Sequence, residues 1–235
     1  MSGRPNRGFV SPGRRDARTR APRNSAPEAR ANEHQARPRC LDPAWAERPY
    51  LALDFETTGL DPARDRVVEV GALRFRPSIG GGRPYIEEGA LATLVKPGIP
   101  IPAEVIAIHG IRDADVAFSG PFSDIAPLIL AMAEGATIVA HNAPFDLSFL
   151  EAELRRAGLP AAANPVLDSR LLAKAAFPER PSYRLVDLAA FLGIDAGKSH
   201  RALDDARTCM ELFLASARIL APGAAPAEPA SAAGR

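Results

Sequence analysis

The spacing of apolar side chains over residues 50–221 predicts three strands, followed by strands that alternate with helices. Leu51, Leu53 and Phe55 recur at every second position, which is typical of a strand that buries one face. The predicted strands are Tyr50–Glu56, Val67–Phe75, Ala90–Val95, Thr137–Ala140 and Pro165–Asp168. Helical spacing predicts helices over Pro121–Ala133, Ala143–Ala157, Leu171–Ala176 and Arg184–Leu192, and a last helix after His200.

The order of these elements predicts an α/β fold with a mixed sheet flanked by helices. Gly80-Gly81-Gly82 predicts a flexible connection between an antiparallel second and third strand. Thr137–Ala140 is short and apolar, which is typical of a strand buried on both faces.

Charge divides the chain into unequal parts, although the formal net charge is only +1. Residues 1–49 contain 11 arginines and five acids, a balance of +6, so the remainder carries −5. This arm has only three residues of the Leu/Ile/Val/Phe class, too few to offset the entropy of ordering it. We therefore predict a disordered basic arm over 1–49, one domain over 50–221 and a disordered Ala/Pro tail over 222–235.

Composition also excludes several classes of protein. No apolar run approaches the roughly 18 residues of a membrane span, and the arm lacks the apolar centre of a secretory signal. Cys40 and Cys209 match no disulfide or zinc spacing. These features predict a cytoplasmic protein with no membrane partner. We expect the arm to be a solvated linker, a nucleic-acid arm whose Arg–phosphate contacts add salt-dependent affinity, or an upstream extension of no function.

Asp54 and Glu56 lie two residues apart at the end of the first predicted strand, in the segment DFETTG at 54–59. Residues two apart on a strand share a face, with Cα atoms about 6.6–6.8 Å apart. A single Asp-x-Glu is weak evidence, because average composition yields about one in a chain of this length.

Two further segments add acidic residues at element boundaries. HNAPFD at 141–146 leaves an apolar strand and enters a helix, so Asn142 is an expected N-cap and Asp146 lies in the first turn, where the helix dipole tolerates an anion. HRALDD at 200–205 opens the last helix. Five residues advance a helix by about 500°, so His200 and Asp205 converge only if His200 lies on the preceding loop.

Convergence of Asp54, Glu56, Asp146 and Asp205 would create a strongly negative cleft. Two carboxylates 4 Å apart repel by about 4 kcal/mol at an effective dielectric of 20, so four of them raise one another's pKa values or bind cations. An oxygen-only site suits Mg²⁺ or Mn²⁺ rather than zinc, and two such ions clamp the attacking and leaving oxygens of a phosphoryl displacement. His200 would then take a proton from the attacking water.

The segments DFETTG, HNAPFD and HRALDD, in this order, resemble the three exonuclease motifs of the DEDD superfamily. The four residues between His200 and Asp205 are similar to the histidine (DEDDh) branch. That branch includes the proofreading (epsilon) subunit of bacterial DNA polymerase III, RNase T and oligoribonuclease. The resemblance covers about residues 49–217 and implies an RNase H-like fold with a mixed five-stranded sheet.

The resemblance implies a role for each acidic residue of the motifs. Asp54 would bridge two divalent metal ions, Mg²⁺ or Mn²⁺. Glu56 and Asp205 would complete one metal site, and Asp146 would support the second. His200 would be the general base, so these five residues are the predicted catalytic set.

A further stretch, 102–111, resembles the family element that holds the 3′-terminal nucleotide. By this similarity Glu104 and His109 are expected to bind substrate. Thr57, Thr58 and Phe145 are expected to line the same pocket.

Other polar residues near the motifs are expected to have structural roles. We expect His141 to orient backbone near the second motif and Asp168 to cap the helix that follows it. Asp204 is expected to be the solvent-facing neighbour of Asp205.

The expected activity is metal-dependent 3′→5′ hydrolysis at single-stranded or frayed DNA ends, with release of nucleoside 5′-monophosphates. The resemblance also implies a DNA polymerase complex as a partner, although the short Ala/Pro tail offers no long polymerase-binding extension. One alternative is an exonuclease that trims RNA 3′ ends, because the choice of sugar depends on contacts to the 2′-OH. Another is a non-catalytic nucleic-acid-binding subunit of a replication or repair complex, which the presence of all five catalytic residues disfavours.

Overall fold

A five-stranded mixed sheet forms the centre of the computed structural model, which describes residues 41–78, 83–197 and 200–221. The strands are β1 Tyr50–Thr57, β2 Val67–Pro77, β3 Tyr85–Leu94, β4 Thr137–Ala140 and β5 Val166–Asp168. Their order is β3-β2-β1-β4-β5. β2 pairs antiparallel with both β1 and β3, and β4 pairs parallel with both β1 and β5.

Helices cover both faces of this sheet. They are α1 Ala103–His109, α2 Phe122–Ala133, α3 Pro144–Arg156, α4 Ser169–Ala176, α5 Leu185–Leu192 and α6 Ala202–Leu220. The predicted α/β fold, the five strands and the antiparallel β2–β3 pair are confirmed. The expected connection through Gly80–Gly82 lies outside the described residues. The pattern did not reveal α1, because this seven-residue helix buries only His109.

The two faces of β1 meet different helices. Leu51, Leu53 and Phe55 pack with the buried side chains of α2 and α3, among them Phe122 and Phe149. Tyr50 and Ala52 point to the opposite face and pack with α6. Since alternate residues share a face, Asp54 and Glu56 continue the α6 side, so that face changes from apolar to acidic along the strand.

α6 runs antiparallel to β1 across that face. The ring of Phe213 lies 4.6 Å from the ring of Tyr50, at the start of the strand. At the other end, a Cβ built on Gly71 of β2 would lie 2.0 Å from the carbonyl carbon of Ala202, so only glycine allows α6 to begin there. None of the helices in the described part of the chain is long and apolar enough to cross a membrane.

The packed domain begins before residue 50, which corrects the prediction that residues 41–49 belong to a disordered arm. Pro43–Glu47 form a 3₁₀ helix. Leu41 and Trp45 are buried against α6, and the Tyr50 hydroxyl donates to the Trp45 carbonyl at 2.7 Å. A single tryptophan placed just before a strand supplies enough apolar area to hold this short segment. The rest of the predicted arm, 1–40, and the tail from 222 lie outside the described residues.

Candidate active site

Asp54 and Glu56 lie at the end of β1, on the face that α6 covers. Asp54 pairs in register with Gly71 of β2, and Glu56 pairs with Glu69. Both side chains are half-buried. The two carboxylates therefore share one face, as their spacing predicts.

Asp146 reaches the same end of β1 from α3. β4 is parallel to β1, so the turn that follows Ala140 starts α3 beside the end of β1. Asp146 is only 3% exposed and accepts a hydrogen bond from the Phe55 backbone N–H at 3.1 Å. Because that N–H lies between Asp54 and Glu56 in the chain, the bond holds the third carboxylate next to the first two.

The expected N-cap role of Asn142 is wrong. Ala143 occupies the N-cap position of α3, and no side chain caps the helix there. Asn142 instead adopts a left-handed backbone, with φ of 70°, and its N–H donates to Asp168 Oδ1 at 3.2 Å. Asp168 also accepts from the N–H groups of Arg170 and Leu171, so it caps α4, as expected, and fixes the turn before α3.

The third motif has the geometry that convergence requires. His200 lies on the turn before α6, with φ of 62°, and Asp205 lies in the first turn of the helix. The His200 backbone N–H donates to Asp205 Oδ2 at 2.9 Å. Each of three residues, Glu56, His200 and Asp205, offers one potential metal-ligand atom, and these three atoms lie within 4.8 Å of one another.

The pKa values of the four carboxyl groups reflect this crowding. Burial, followed by the charges of Asp146, Asp205 and Glu56, raises the pKa of Asp54 well above its usual range. Burial, with Asp205 and Glu69 adding to it, raises the pKa of Glu56 to about 8. Burial raises the pKa of Asp146 to about 8, although the bond from Phe55 opposes the shift. The pKa of Asp205 is raised as well, mainly by burial.

This donor set fits a hard divalent cation. Carboxylate oxygens are the ligands that Mg²⁺ and Mn²⁺ prefer, and a cation among them offsets the repulsion that raises their pKa values. His200 adds one imidazole at an exposed position. The residues that could hold metal are Asp54, Glu56, Asp146 and Asp205.

His109 ends α1 with its ring turned into the protein. Its Nδ1 accepts from the Ile111 backbone N–H at 3.0 Å, so the proton of the neutral ring is on Nε2. Nε2 is buried and has no hydrogen-bond partner of standard geometry among the described residues. Burial lowers the pKa of His109, with the nearby Thr57 carbonyl opposing this. The ring is therefore a neutral donor beside the end of β1.

Thr57 and Thr58 use their side chains to build the loop after β1. The Thr57 hydroxyl donates to the Gly59 carbonyl at 2.6 Å. Thr58 Oγ1 donates to Asp65 Oδ1 at 3.3 Å and accepts from the Arg66 N–H at 3.0 Å. Both residues are buried, and their hydroxyl groups are engaged within this loop.

The other two predicted substrate residues differ in exposure. Glu104 is exposed on the first turn of α1, five residues before His109. Phe145 is half-buried, with its ring 5.1 Å from that of Phe149. Phe145 therefore packs partly against the core and is partly exposed.

The motifs did not reveal Glu69, which is only 3% exposed and forms an ion pair with Arg201 at 2.7 Å. The sequence feature that could have revealed Glu69 is the presence of an acidic residue within the apolar run 67–70. A buried carboxylate needs a partner, but the sequence does not say which residue supplies it.

His141 has the structural role that we expected. Its Nε2 donates to the Tyr183 carbonyl at 3.0 Å, so Nδ1 accepts from the Ser169 hydroxyl at 2.9 Å. The buried Cys209 thiol donates to the same hydroxyl at 3.3 Å. This chain of bonds joins the second motif to α4 and α6, and burial lowers the pKa of His141, which favours the neutral ring.

The fold and the acidic cluster agree with the family to which the sequence belongs. The family model described as Exonuclease matches residues 51–213, which is more than half of the chain. The chain therefore belongs to the exonuclease family, whose members use divalent metal ions, and it is an exonuclease. The predicted resemblance to DEDD exonucleases is confirmed.

Among curated relatives, the chain is similar to subunits of bacterial DNA polymerase III. It is 38% identical over 169 residues to DNA polymerase III subunit epsilon of Treponema pallidum, covering 70% of this chain and 74% of that protein. It is 40% identical over 179 residues to a DNA polymerase III subunit epsilon-like protein of Rhodobacter capsulatus, covering 73% of this chain and 25% of that one. It spans only 12% of a PolC-type DNA polymerase III of Thermotoga maritima, with 35% identity over 74% of this chain.

Solved structures of exonucleases share the fold. Exonuclease X in complex with 5′ overhanging duplex DNA aligns with a TM-score of 0.54 and 26% identity, over 71% of this chain and 90% of that one. E. coli Exonuclease I in complex with a dT13 oligonucleotide aligns with a TM-score of 0.61 and 21% identity, over 71% of this chain and 40% of that one. The second match supports the fold alone.

Proposed function

We propose that this chain is a metal-dependent 3′→5′ exonuclease that acts on DNA 3′ ends and releases nucleoside 5′-monophosphates. The observation that carries the proposal is the meeting of three motifs at one end of β1. Asp54, Glu56, Asp146 and Asp205 come together there with His200, although they come from three separate parts of the sequence.

The four carboxylates are the proposed ligands of two divalent ions, Mg²⁺ or Mn²⁺. When bound, the ions supply Lewis-acid stabilisation of the negative charge on the reacting phosphate. The raised pKa values of Glu56 and Asp146 support this role, since groups that repel one another gain most from a shared cation. The hydrogen bond from Phe55 keeps Asp146 oriented towards this site.

His200 is the proposed general base. It is exposed, and the hydrogen bond from its backbone N–H to Asp205 fixes the backbone from which its ring extends. The imidazole takes a proton from water as the water oxygen attacks the terminal phosphate. The bond from phosphorus to the 3′ oxygen breaks, and that oxygen takes a proton from solvent water. This leaves a shortened strand with a 3′-OH and a free nucleoside 5′-monophosphate.

His109 and Glu104 are the proposed contacts to the 3′-terminal nucleotide. The buried Nε2–H of His109 supports this role, because the nearby Thr57 carbonyl does not accept from it with standard geometry and a substrate oxygen could accept instead. Thr57 and Thr58 would form the wall of the same pocket, and Phe145 would contact the base.

DNA is the proposed substrate class because of two relatives. The epsilon subunit of Treponema pallidum is 38% identical, and Exonuclease X, at 26% identity, was solved with 5′ overhanging duplex DNA. The Treponema pallidum relative, a subunit of DNA polymerase III, supports a DNA polymerase complex as the partner and a cytoplasmic location. RNA remains the alternative substrate.

Matched DNA and RNA oligomers of one sequence test the proposal directly. With Mg²⁺ we expect the wild-type chain to degrade DNA faster than RNA, and Asp54→Asn to degrade neither. Glu179→Gln, which alters an exposed acid away from the motifs, serves as the control and should match the wild type. A strong preference for RNA would contradict the DNA assignment, and full activity in Asp54→Asn would contradict the site.

A further inference from the structure

Glu69 makes more polar contacts than a buried strand residue ordinarily needs. Its Oε1 accepts from Arg201 Nη2 at 2.7 Å and from Arg201 Nε at 3.1 Å. Its Oε2 accepts from the Ala202 backbone N–H at 3.2 Å and from Arg201 Nε at 3.3 Å. Each oxygen therefore accepts two hydrogen bonds, which is why Glu69 is not among the proposed metal ligands, although it lies opposite Glu56 in the sheet.

The contact to Ala202 caps α6 from another element. The first N–H groups of a helix have no partner within the helix, and the side chain of the N-cap residue, Arg201, does not cap α6. Glu69 accepts from the first of these groups, and its negative charge also suits the positive end of the helix dipole. The carboxylate thus fixes the point on β2 where α6 begins.

The residues on either side of this contact are the third motif. His200 immediately precedes Arg201, and Asp205 follows Ala202 by three residues. The His200 N–H bonds to Asp205, so the turn and the first helical turn are connected. Any movement of Arg201 or Ala202 relative to β2 would therefore move both His200 and Asp205 relative to Asp54 and Glu56.

We propose that Glu69 and Arg201 are positioning residues that hold the general base and the Asp205 ligand against the metal-binding end of β1. This inference rests on the proposed function. Neither residue is among the proposed metal ligands, and neither is the proposed general base. The bidentate geometry requires a planar guanidinium, so lysine at position 201 would not replace arginine fully.

A second ion pair on the same helix provides a matched control. Arg207 Nη1 lies 3.1 Å from Glu87 Oε2 of β3, and both side chains are 37% exposed. This pair also joins α6 to the sheet, but it does not contact the third motif. If the ion pairs between α6 and the sheet served only general stability, loss of either pair would have the same effect on activity.

The experiment compares Glu69→Gln, Arg201→Lys and the control Glu87→Gln. It measures kcat and KM on a single-stranded DNA oligomer, and Mn²⁺ affinity by electron paramagnetic resonance. We expect Glu69→Gln to lower kcat by about 10- to 100-fold with KM within about 2-fold, and to weaken Mn²⁺ binding by a similar factor. Arg201→Lys should change both in the same direction but less, and Glu87→Gln should match the wild type.

The outcomes separate this inference from the proposed function. Wild-type kcat and Mn²⁺ affinity in Glu69→Gln would overturn the inference, and so would equal losses in Glu69→Gln and Glu87→Gln. If Glu69→Gln does not fold, Arg201→Lys, which keeps the buried carboxylate paired with a cation, decides the question by the same two measurements. If the wild-type chain degrades no oligomer, the proposed function fails, while the Mn²⁺ affinities still test the positioning.

Discussion

Asp54 occupies a position that costs stability when no cation is bound. Its carboxyl group lies among Asp146, Asp205 and Glu56, and burial raises its pKa. Each unit by which a pKa is raised corresponds to about 1.4 kcal/mol. A carboxyl group at such a position lowers stability while the proposed activity requires it, so activity and stability conflict there.

We expect Asp54→Asn to have opposite effects on stability and activity. A raised pKa means that the folded protein binds the proton more tightly than the unfolded chain does, so stability falls as pH rises above about 4. Asparagine removes this loss, so the metal-free variant should exceed the wild type in free energy of unfolding at pH 8. The gap should be smaller at pH 5, and exonuclease activity should be lost.

Urea unfolding of the wild type and the variant in the presence of a chelator, at pH 5 and at pH 8, measures their free energies of unfolding. An Asp54→Asn variant that is less stable than the wild type at pH 8 would show that the carboxylates do not repel one another. Glu179→Gln again provides the control.

The residues of the site were partly predictable from sequence. Their convergence could be expected because each lies in a short segment with fixed spacing: Asp54, Glu56, Asp146, Asp205 and His200. The contact between Glu69 and Arg201 could not, because the two residues are 132 positions apart and only the packing of α6 on β2 brings them together. Asn142 was misjudged for a similar reason, since Asp168 of a later strand holds its backbone.

At the scale of elements, Gly71 determines where α6 begins. We expect Gly71→Ala to destabilise the protein by about 1–3 kcal/mol, because a Cβ would overlap the backbone of Ala202. Activity should fall further than stability alone explains, since relief of the overlap moves His200 and Asp205. Thermal unfolding and the DNA assay measure these effects.

Gly89→Ala on β3 is the matched control for this substitution, because a Cβ there would meet no atom of the described residues within 4 Å beyond its own neighbours in the chain. It should leave both properties close to those of the wild type. Equal effects of the two substitutions would contradict the role of close approach at Gly71.

The 3₁₀ helix over Pro43–Glu47 contributes to stability through the hydrogen bond that Tyr50 donates to it. Burial raises the pKa of the Tyr50 phenol to about 12, so the folded protein retains the proton above pH 10 while the unfolded chain loses it. Stability should therefore fall between pH 10 and pH 12, by up to about 1.4 kcal/mol per pH unit from this group.

Tyr50→Phe isolates that contribution. The variant should be about 0.5–1.5 kcal/mol less stable at pH 8, because the Trp45 carbonyl loses its donor. Its deficit should then shrink as the pH rises from 10 to 12, as followed by denaturant unfolding. A constant deficit across this range would contradict the proposed titration.

The sheet and most helices could be predicted because their apolar spacing is regular. The 3₁₀ helix was missed because Leu41 and Trp45 are isolated in a segment rich in arginine and proline. They gain stability only from contacts with distant residues such as Phe213. Short elements of this kind depend on tertiary packing rather than on local pattern.

At the scale of the whole molecule, the uneven charge predicts a role for the arm. We expect removal of residues 1–40 to weaken binding to single-stranded DNA and to flatten its dependence on salt, because each lost Arg–phosphate contact lowers the slope. The unfolding midpoint should not change, since the 3₁₀ helix is retained. Binding titrations at several salt concentrations measure the slope.

A full-length chain in which the ten arginines of residues 1–40 are replaced by glutamine separates charge from length. It should behave like the deletion. Wild-type salt dependence in both variants would favour the solvated linker.

The central claim is that the carboxylates and His200 at the end of β1 carry out metal-dependent hydrolysis from 3′ ends. Digestion of a single-stranded DNA oligomer labelled at its 5′ end tests it most directly. With Mg²⁺ the wild-type chain should produce a ladder of progressively shorter labelled strands, whereas a chelator or Asp54→Asn should abolish it. Immediate release of a labelled mononucleotide, or a ladder that survives the chelator or Asp54→Asn, would contradict the claim.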